Sequence, residues 1–162
     1  MKGDIKYSFL EAKQKIEAWC AYQDRCHSEV YKKLRDYGMD DEDTNALISH
    51  LISFQFLDEQ RFAESFVSGK HRIKKWGKNK IIAHLKQKNI PKRCIDDAIK
   101  TIDEELYLEH LRNLAARKWK EKKGSTFEIK VKVQRFLVGK GYEFELIYNV
   151  LDDIENQIEN LD

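Results

Sequence analysis

Apolar residues recur at three- and four-residue intervals along almost the whole chain, the spacing that places them on one face of an α-helix. Phe9, Ala12, Ile16, Trp19 and Cys20 follow it near the start, and Phe144, Ile147, Leu151, Ile154 and Ile158 near the end. Helix starts are marked as well. Ser8 with Glu11 and Ser125 with Glu128 fit the capping box, in which hydroxyl and carboxylate reciprocally satisfy backbone N–H groups of the first turn. Asp40, Asp58 and Asp103 each precede an apolar-periodic run and put a carboxylate at a positive helix end, and Pro91 sits where a first-turn proline costs no hydrogen bond. Gly38, Asn89 and Gly141 read as stops, because Gly and Asn enter the left-handed conformation at lowest cost. The pattern predicts nine helices, over about 8–22, 26–37, 41–55, 58–75, 78–88, 91–102, 104–122, 126–139 and 142–158.

The three stops lie 51 and 52 residues apart, and their flanks match. Leu34, Leu85 and Leu137 stand four residues before the stop, Val30, Ile81 and Val133 eight before it, and Met39, Ile90 and Tyr142 one after it; Ile48, Ile99 and Leu151 follow ten after it. Nine helices at such a period predict an all-α fold of three tandem three-helix repeats, forming an elongated array free to curve. The first repeat is expected over 1–57 with a short N-terminal arm, the second over 58–103 and the third over 104–162. From Phe127 to Val133 apolar and polar residues alternate, which is a strand signal. The repeat register aligns this stretch with Lys78–Leu85, and an isolated strand would have no pairing partner, so helix is expected here too.

Charge changes the picture through its distribution. The 162 residues carry 30 Lys and Arg against 28 Asp and Glu, a net +2. Yet Ser65 to Ile95 holds ten basic residues and no acid, a block of +10, and Leu111 to Lys140 comes to +8. Residues 40–64, 96–110 and 141–162 come to −6, −5 and −7. A run of charge is ordinarily a solvated helix face. Ten bases without an interspersed acid, however, repel one another unless something anionic binds. Trp76 lies in the first basic block and Trp119 in the second, each as a stacking platform or as repeat core. The implied partner is a polyphosphate backbone or an acidic protein surface.

Candidate chemistry is sparse. Cys20, Cys26 and Cys94 form neither a disulfide framework nor a four-ligand zinc pattern, and a reducing cytoplasm is expected. The start Met1-Lys2-Gly3-Asp4 lacks the apolar run of an export signal. The longest stretch without charged residues, Thr44 to Leu57, is 14 residues, short of the roughly 20 that cross a bilayer. Gly139-Lys140-Gly141 lacks the context of a phosphate loop and reads as a helix end. Five scattered histidines, and Cys26-His27 beside Cys20, suggest packing rather than metal binding. The carboxylates Asp40 to Asp43 suit a helix dipole better than an ion. No nucleophile has an adjacent base, so no enzyme, cofactor or metal is expected.

The stretch Leu57-Asp58-Glu59-Gln60-Arg61-Phe62-Ala63, continued by Lys74-Lys75-Trp76-Gly77-Lys78-Asn79-Lys80-Ile81 and Leu85-Lys86-Gln87-Lys88-Asn89-Ile90, resembles the bacterial RecX family. The resemblance is close over about 35 residues and rests elsewhere on the repeat pattern. Where that family often has Gly-Trp-Gly this chain has Lys75-Trp76-Gly77, and Lys78 and Asn89 stand at common Pro and Gly positions. The resemblance implies three three-helix units and a non-enzymatic modulator of the RecA recombinase. Such a protein binds the RecA filament on single-stranded DNA, with double-stranded DNA a further candidate, and mainly inhibits RecA in recombination and the SOS response. A cytoplasmic monomer with no membrane partner is expected. The contact surface is expected at Arg61, Lys70, Arg72, Lys74, Lys75, Trp76, Lys78 and Lys80, with Lys118, Lys120, Lys122 and Lys123 second. Arg61 has a competing use as the partner of a carboxylate. The alternative functions are a stand-alone, non-sequence-specific nucleic-acid-binding repeat protein and a general protein-interaction scaffold.

Overall fold

A computed structural model describes residues 6–161. Among them the chain forms nine α-helices and no strand. They are α1 (Phe9–Tyr22), α2 (His27–Asp36), α3 (Asp41–Ser53), α4 (Glu59–Arg72), α5 (Lys78–Gln87), α6 (Lys92–Ile99), α7 (Glu104–Glu121), α8 (Thr126–Lys140) and α9 (Phe144–Glu159). None of them is long and apolar enough to cross a membrane.

The starts follow the expected caps. Ser8 and Ser125 accept from the N–H groups of Glu11 and Glu128, whose carboxylates accept in return from the serine N–H groups. Asp40, Asp58 and Asp103 accept from first-turn N–H groups of α3, α4 and α7. The stops share one geometry. Gly38, Asn89 and Gly141 have φ of 91°, 59° and 97°. After each, the next N–H reaches back to the carbonyl of the leucine four residues before the stop: Met39 to Leu34 at 3.1 Å, Ile90 to Leu85 at 3.2 Å, Tyr142 to Leu137 at 3.2 Å. All three leucines are fully buried. The periodicity thus records a recurring local structure.

Two bounds differ from expectation by three residues. α4 stops at Arg72 because the chain turns through a left-handed Lys75 at φ 57°, and α6 stops at Ile99, where Ile102 N–H bonds back to the Ile99 carbonyl at 3.2 Å. The alternating stretch Phe127 to Val133 is helical throughout. Lys130, which reads as solvent-facing in a strand, is half-buried and bonded to Glu155 of α9 at 2.6 Å.

Packing divides the chain into two compact units. The first comprises the described residues through Ser65 together with Leu85–Ala98, the second Phe66–His84 with the described residues from Ile99 onward. The division falls inside α4 and α5, so compactness cuts across the middle repeat of the periodicity. In the first unit α1, α2 and α3 contact one another around Ala12, Ile16, Val30, Leu34, Leu47 and Leu51. In the second, α7, α8 and α9 do so, with Tyr107, Leu111, Trp119, Leu137, Ile147 and Leu151 buried. Trp119 is core, 9% exposed, and not a stacking platform.

Candidate anion-binding site

In the second unit, the turn from α4 into α5 is held to α7 and α8 largely through backbone groups. Gly77 N–H donates to the Lys140 carbonyl at 2.8 Å and Asn79 N–H to the Gly141 carbonyl at 2.9 Å. A Cβ on Gly77 would lie 2.2 Å from the Gly141 carbonyl carbon, so only glycine allows the approach. Tyr142 hydroxyl donates to the Lys75 carbonyl at 2.8 Å, and Tyr107 hydroxyl accepts from Lys78 N–H at 2.9 Å while donating to Glu143. Burial, then the Glu143 carboxylate, raises the Tyr107 pKa, keeping the proton on the phenol. This accounts physically for the Trp76-Gly77 and Gly139-Lys140-Gly141 segments noted in the sequence: they are two halves of one backbone contact.

The sequence-predicted residues meet different fates. Lys74 and Lys75 line a cavity of about 650 Å³. Lys78 is bonded to Glu104 at 2.5 Å. Lys70 and Lys80 lie over the Trp76 ring at 4.7 and 4.4 Å, and that ring also meets Phe66 and His84, with His84 at 4.6 Å. Trp76 is therefore half-buried among its own neighbours and positions two cations, rather than standing free to stack. Arg72 is exposed, and its carbonyl accepts from Lys75 Nζ at 2.6 Å. Lys118 is bonded to Glu121 at 2.8 Å and lies over Phe136. Lys120 and Lys123 are exposed and Lys122 half-buried. Arg61 belongs to the first unit, where its guanidinium donates to Asp24 at 2.8 Å and to the carbonyls of Gln55 and Phe56. Burial alone would raise the Asp24 pKa, but hydrogen bonds from Arg61 and Ser65 hold it below the usual carboxylate value. Arg61 is thus a structural partner within its own unit.

The cavity brings in residues that the sequence reading missed. α7 contributes Glu109, His110, Asn113 and Arg117, a stripe at helical spacing, and the last residue of α8 contributes Lys140. Four cations, Lys74, Lys75, Arg117 and Lys140, share the lining with one carboxylate, Glu109. None of the four has a strong carboxylate partner. Lys140 Nζ donates to the Lys74 carbonyl at 2.7 Å, and Lys75 Nζ lies 3.1 Å from His110 Nε2. Arg117 stands 3.9 Å from Glu121, which Lys118 holds more closely. Burial, then the positive charges of Lys80, Arg117, Lys74 and Lys118, push the Lys140 pKa down, so local positive potential is high. In the cavity wall, His110 packs against His71 behind it, the rings tilted at 46° with centroids 4.9 Å apart. Both rings are buried, and His71 Nδ1 and Nε2 and His110 Nδ1 have no hydrogen-bond partner. Burial, then neighbouring His110, Arg72 and Lys75, lowers the His71 pKa to about 4; burial and Lys75 lower that of His110. A neutral His110 therefore lines the cationic pocket, with His71 behind it. The spacing that puts Arg117 on one helix face with His110 and Asn113 is the signal that would have found it; nothing local marks Lys140, because its contact with Lys74 spans 66 residues.

The chain is similar to proteins of the RecX family. The family model for the second three-helix domain of RecX matches residues 58–99, and that for the third three-helix domain matches 104–151. The chain is 31% identical over 156 residues to the Regulatory protein RecX of Clostridium tetani, covering 94% of this chain and 66% of that protein. To the Regulatory protein RecX of Salmonella arizonae it is 35% identical over 114 residues, covering 70% of this chain and 63% of that protein. It thus spans about two thirds of the length of these curated relatives. A crystal structure of regulatory protein RecX superposes with a TM-score of 0.81 at 26% identity, covering 90% of this chain and 73% of that one. The structure of RecX from Lactobacillus salivarius shares the fold with a TM-score of 0.80 at 22% identity, covering 91% and 96%.

Proposed function

This chain belongs to the RecX family, and from that premise we propose that it is a cytoplasmic, monomeric regulator of the RecA recombinase. It binds the RecA filament on single-stranded DNA and lowers filament activity in recombination and the SOS response. Its three repeats, over 1–57, 58–103 and 104–162, act as a binding scaffold without chemistry of their own.

The observation that carries this reading is the convergence of Lys74, Lys75, Arg117 and Lys140 on one cavity with a single carboxylate among them. Such a surface is complementary to a polyanion, whether DNA phosphates or acidic filament surface. Lys78 contributes less than its place in the sequence suggests, since Glu104 already neutralises it.

The test is the single-strand-dependent ATPase of RecA from the same organism, measured with and without the chain. Inhibition at less than one chain per RecA is expected. The double substitution Lys74→Glu with Arg117→Glu, both at exposed positions, should abolish that inhibition while leaving the helical circular dichroism unchanged. Inhibition that merely tracks competition for free DNA would favour a stand-alone nucleic-acid-binding module. No effect, together with negligible DNA affinity, would sink the reading.

A further inference from the structure

A cavity of about 650 Å³ falls within the range of sites that hold a small organic ligand. Its composition is two-sided. Lys74, Arg117 and Lys140 supply positive charge, while Ile73, Leu106 and Leu114 supply apolar surface, and Ile73 is 77% exposed. Ile73 therefore presents apolar surface directly beside weakly paired cations. The backbone shapes the site: Lys75 holds φ 57°, which the path of the chain into α5 imposes. The turn carrying these cations is fixed by the Gly77–Lys140 and Tyr142–Lys75 hydrogen bonds. In the wall, His110 is more than nine-tenths buried with Nδ1 unpartnered.

We propose that this pocket is a nucleotide site, in which Lys74, Arg117 and Lys140 bind the phosphate and Ile73, Leu106 and Leu114 lie against the nucleoside. The proposal deepens the regulator reading and rests on it for the expectation of a nucleic-acid ligand. Arg117 presents a planar fork suited to two phosphate oxygens, and the two ammonium groups add point charges. Glu109 opposes binding, which keeps it reversible. The nucleotide comes either from a single strand or from the free pool.

Calorimetric titration of the full chain with a twelve-residue oligothymidylate, with ADP and with thymidine tests the site. The two phosphate-bearing ligands should bind and thymidine should not. Arg117→Gln and Lys140→Gln should each weaken binding at least about tenfold, and Glu109→Gln should strengthen it several-fold. Lys92→Gln, at a residue bonded to Asp96 in the other unit, should change nothing. Tighter binding of the oligonucleotide identifies the strand as the source, and tighter binding of ADP the free nucleotide; either upholds the pocket. Unchanged affinity in Arg117→Gln and Glu109→Gln, or thymidine binding as well as ADP, overturns it. RecA is absent from this assay. Absence of nucleotide binding by the unaltered chain with its ATPase inhibition intact would therefore remove this inference alone, and absence of inhibition with nucleotide binding intact would remove the regulator reading alone.

Discussion

At the scale of single residues, His71 and His110 show how burial decides protonation. Neither ring has a carboxylate partner, and the groups facing His71 are His110, Arg72 and Lys75, with Asp103 alone pulling the other way. The folded state therefore keeps His71 neutral down to about pH 4, against 6.5 for the free side chain. As pH falls below 6.5 the unfolded chain takes up a proton that the folded chain refuses. This contribution to stability is complete above that value and is lost progressively toward pH 4. By pH 5 the loss from this one histidine amounts to about 2 kcal/mol. Urea midpoints at pH 7 and pH 5 check it: His71→Leu should show a drop between the two pH values smaller than that of the unaltered chain by that amount. Equal drops would mean that the imidazole is solvated. The pair was invisible in the sequence, because 39 positions separate the two residues and nothing in either helix marks them as neighbours.

At the scale of elements, what the sequence disclosed was what the backbone does locally. Caps at Ser8 and Ser125 and stops at Gly38, Asn89 and Gly141 depend on residues within one turn, and a residue type with one physical advantage announces them. Gln55 and Lys75 are also left-handed, at φ 60° and 57°, but their side chains carry no such advantage. The path of the chain into the next helix imposes their conformations, and so α4 ended sooner than its periodicity implied. The contact of α5 with the end of α8 is equally non-local. Gly77 could be read as a turn residue, yet its requirement comes from the Gly141 backbone 2.2 Å from where a Cβ would stand. Backbone atoms on both sides cannot yield as a flexible side chain would. Gly77→Ala should therefore destabilise the chain by about 2 to 3 kcal/mol, measured by urea unfolding, and should release the turn that carries Lys74 and Lys75. A loss below about 0.5 kcal/mol, the range of a surface substitution, would show that the two segments part readily.

Over the whole molecule, a net charge of +2 would predict almost no dependence of partner binding on salt. The arrangement of charge predicts otherwise. Several lysines of the basic blocks are internally neutralised: Lys88 by Glu29 and Lys92 by Asp96 in the first unit, Lys78 by Glu104 and Lys118 by Glu121 in the second. These add little to a polyanion's attraction, so block totals of +10 and +8 overstate the binding charge. Of the cations left outside these pairs, Lys74, Lys75, Arg117 and Lys140 are the four that converge on one cavity. About three phosphate contacts from such a set give a log–log slope near −2 on a single strand, so a fourfold rise in salt weakens binding roughly twentyfold. Block totals taken at face value would give several times that slope. Titrations of an oligothymidylate between 50 and 200 mM salt, roughly the range over which such slopes are read, separate the two. In that series Arg117→Gln should reduce the slope by about 0.7, whereas Lys78→Gln should leave it unchanged, because removing a cation already held by Glu104 releases no counterion from the strand.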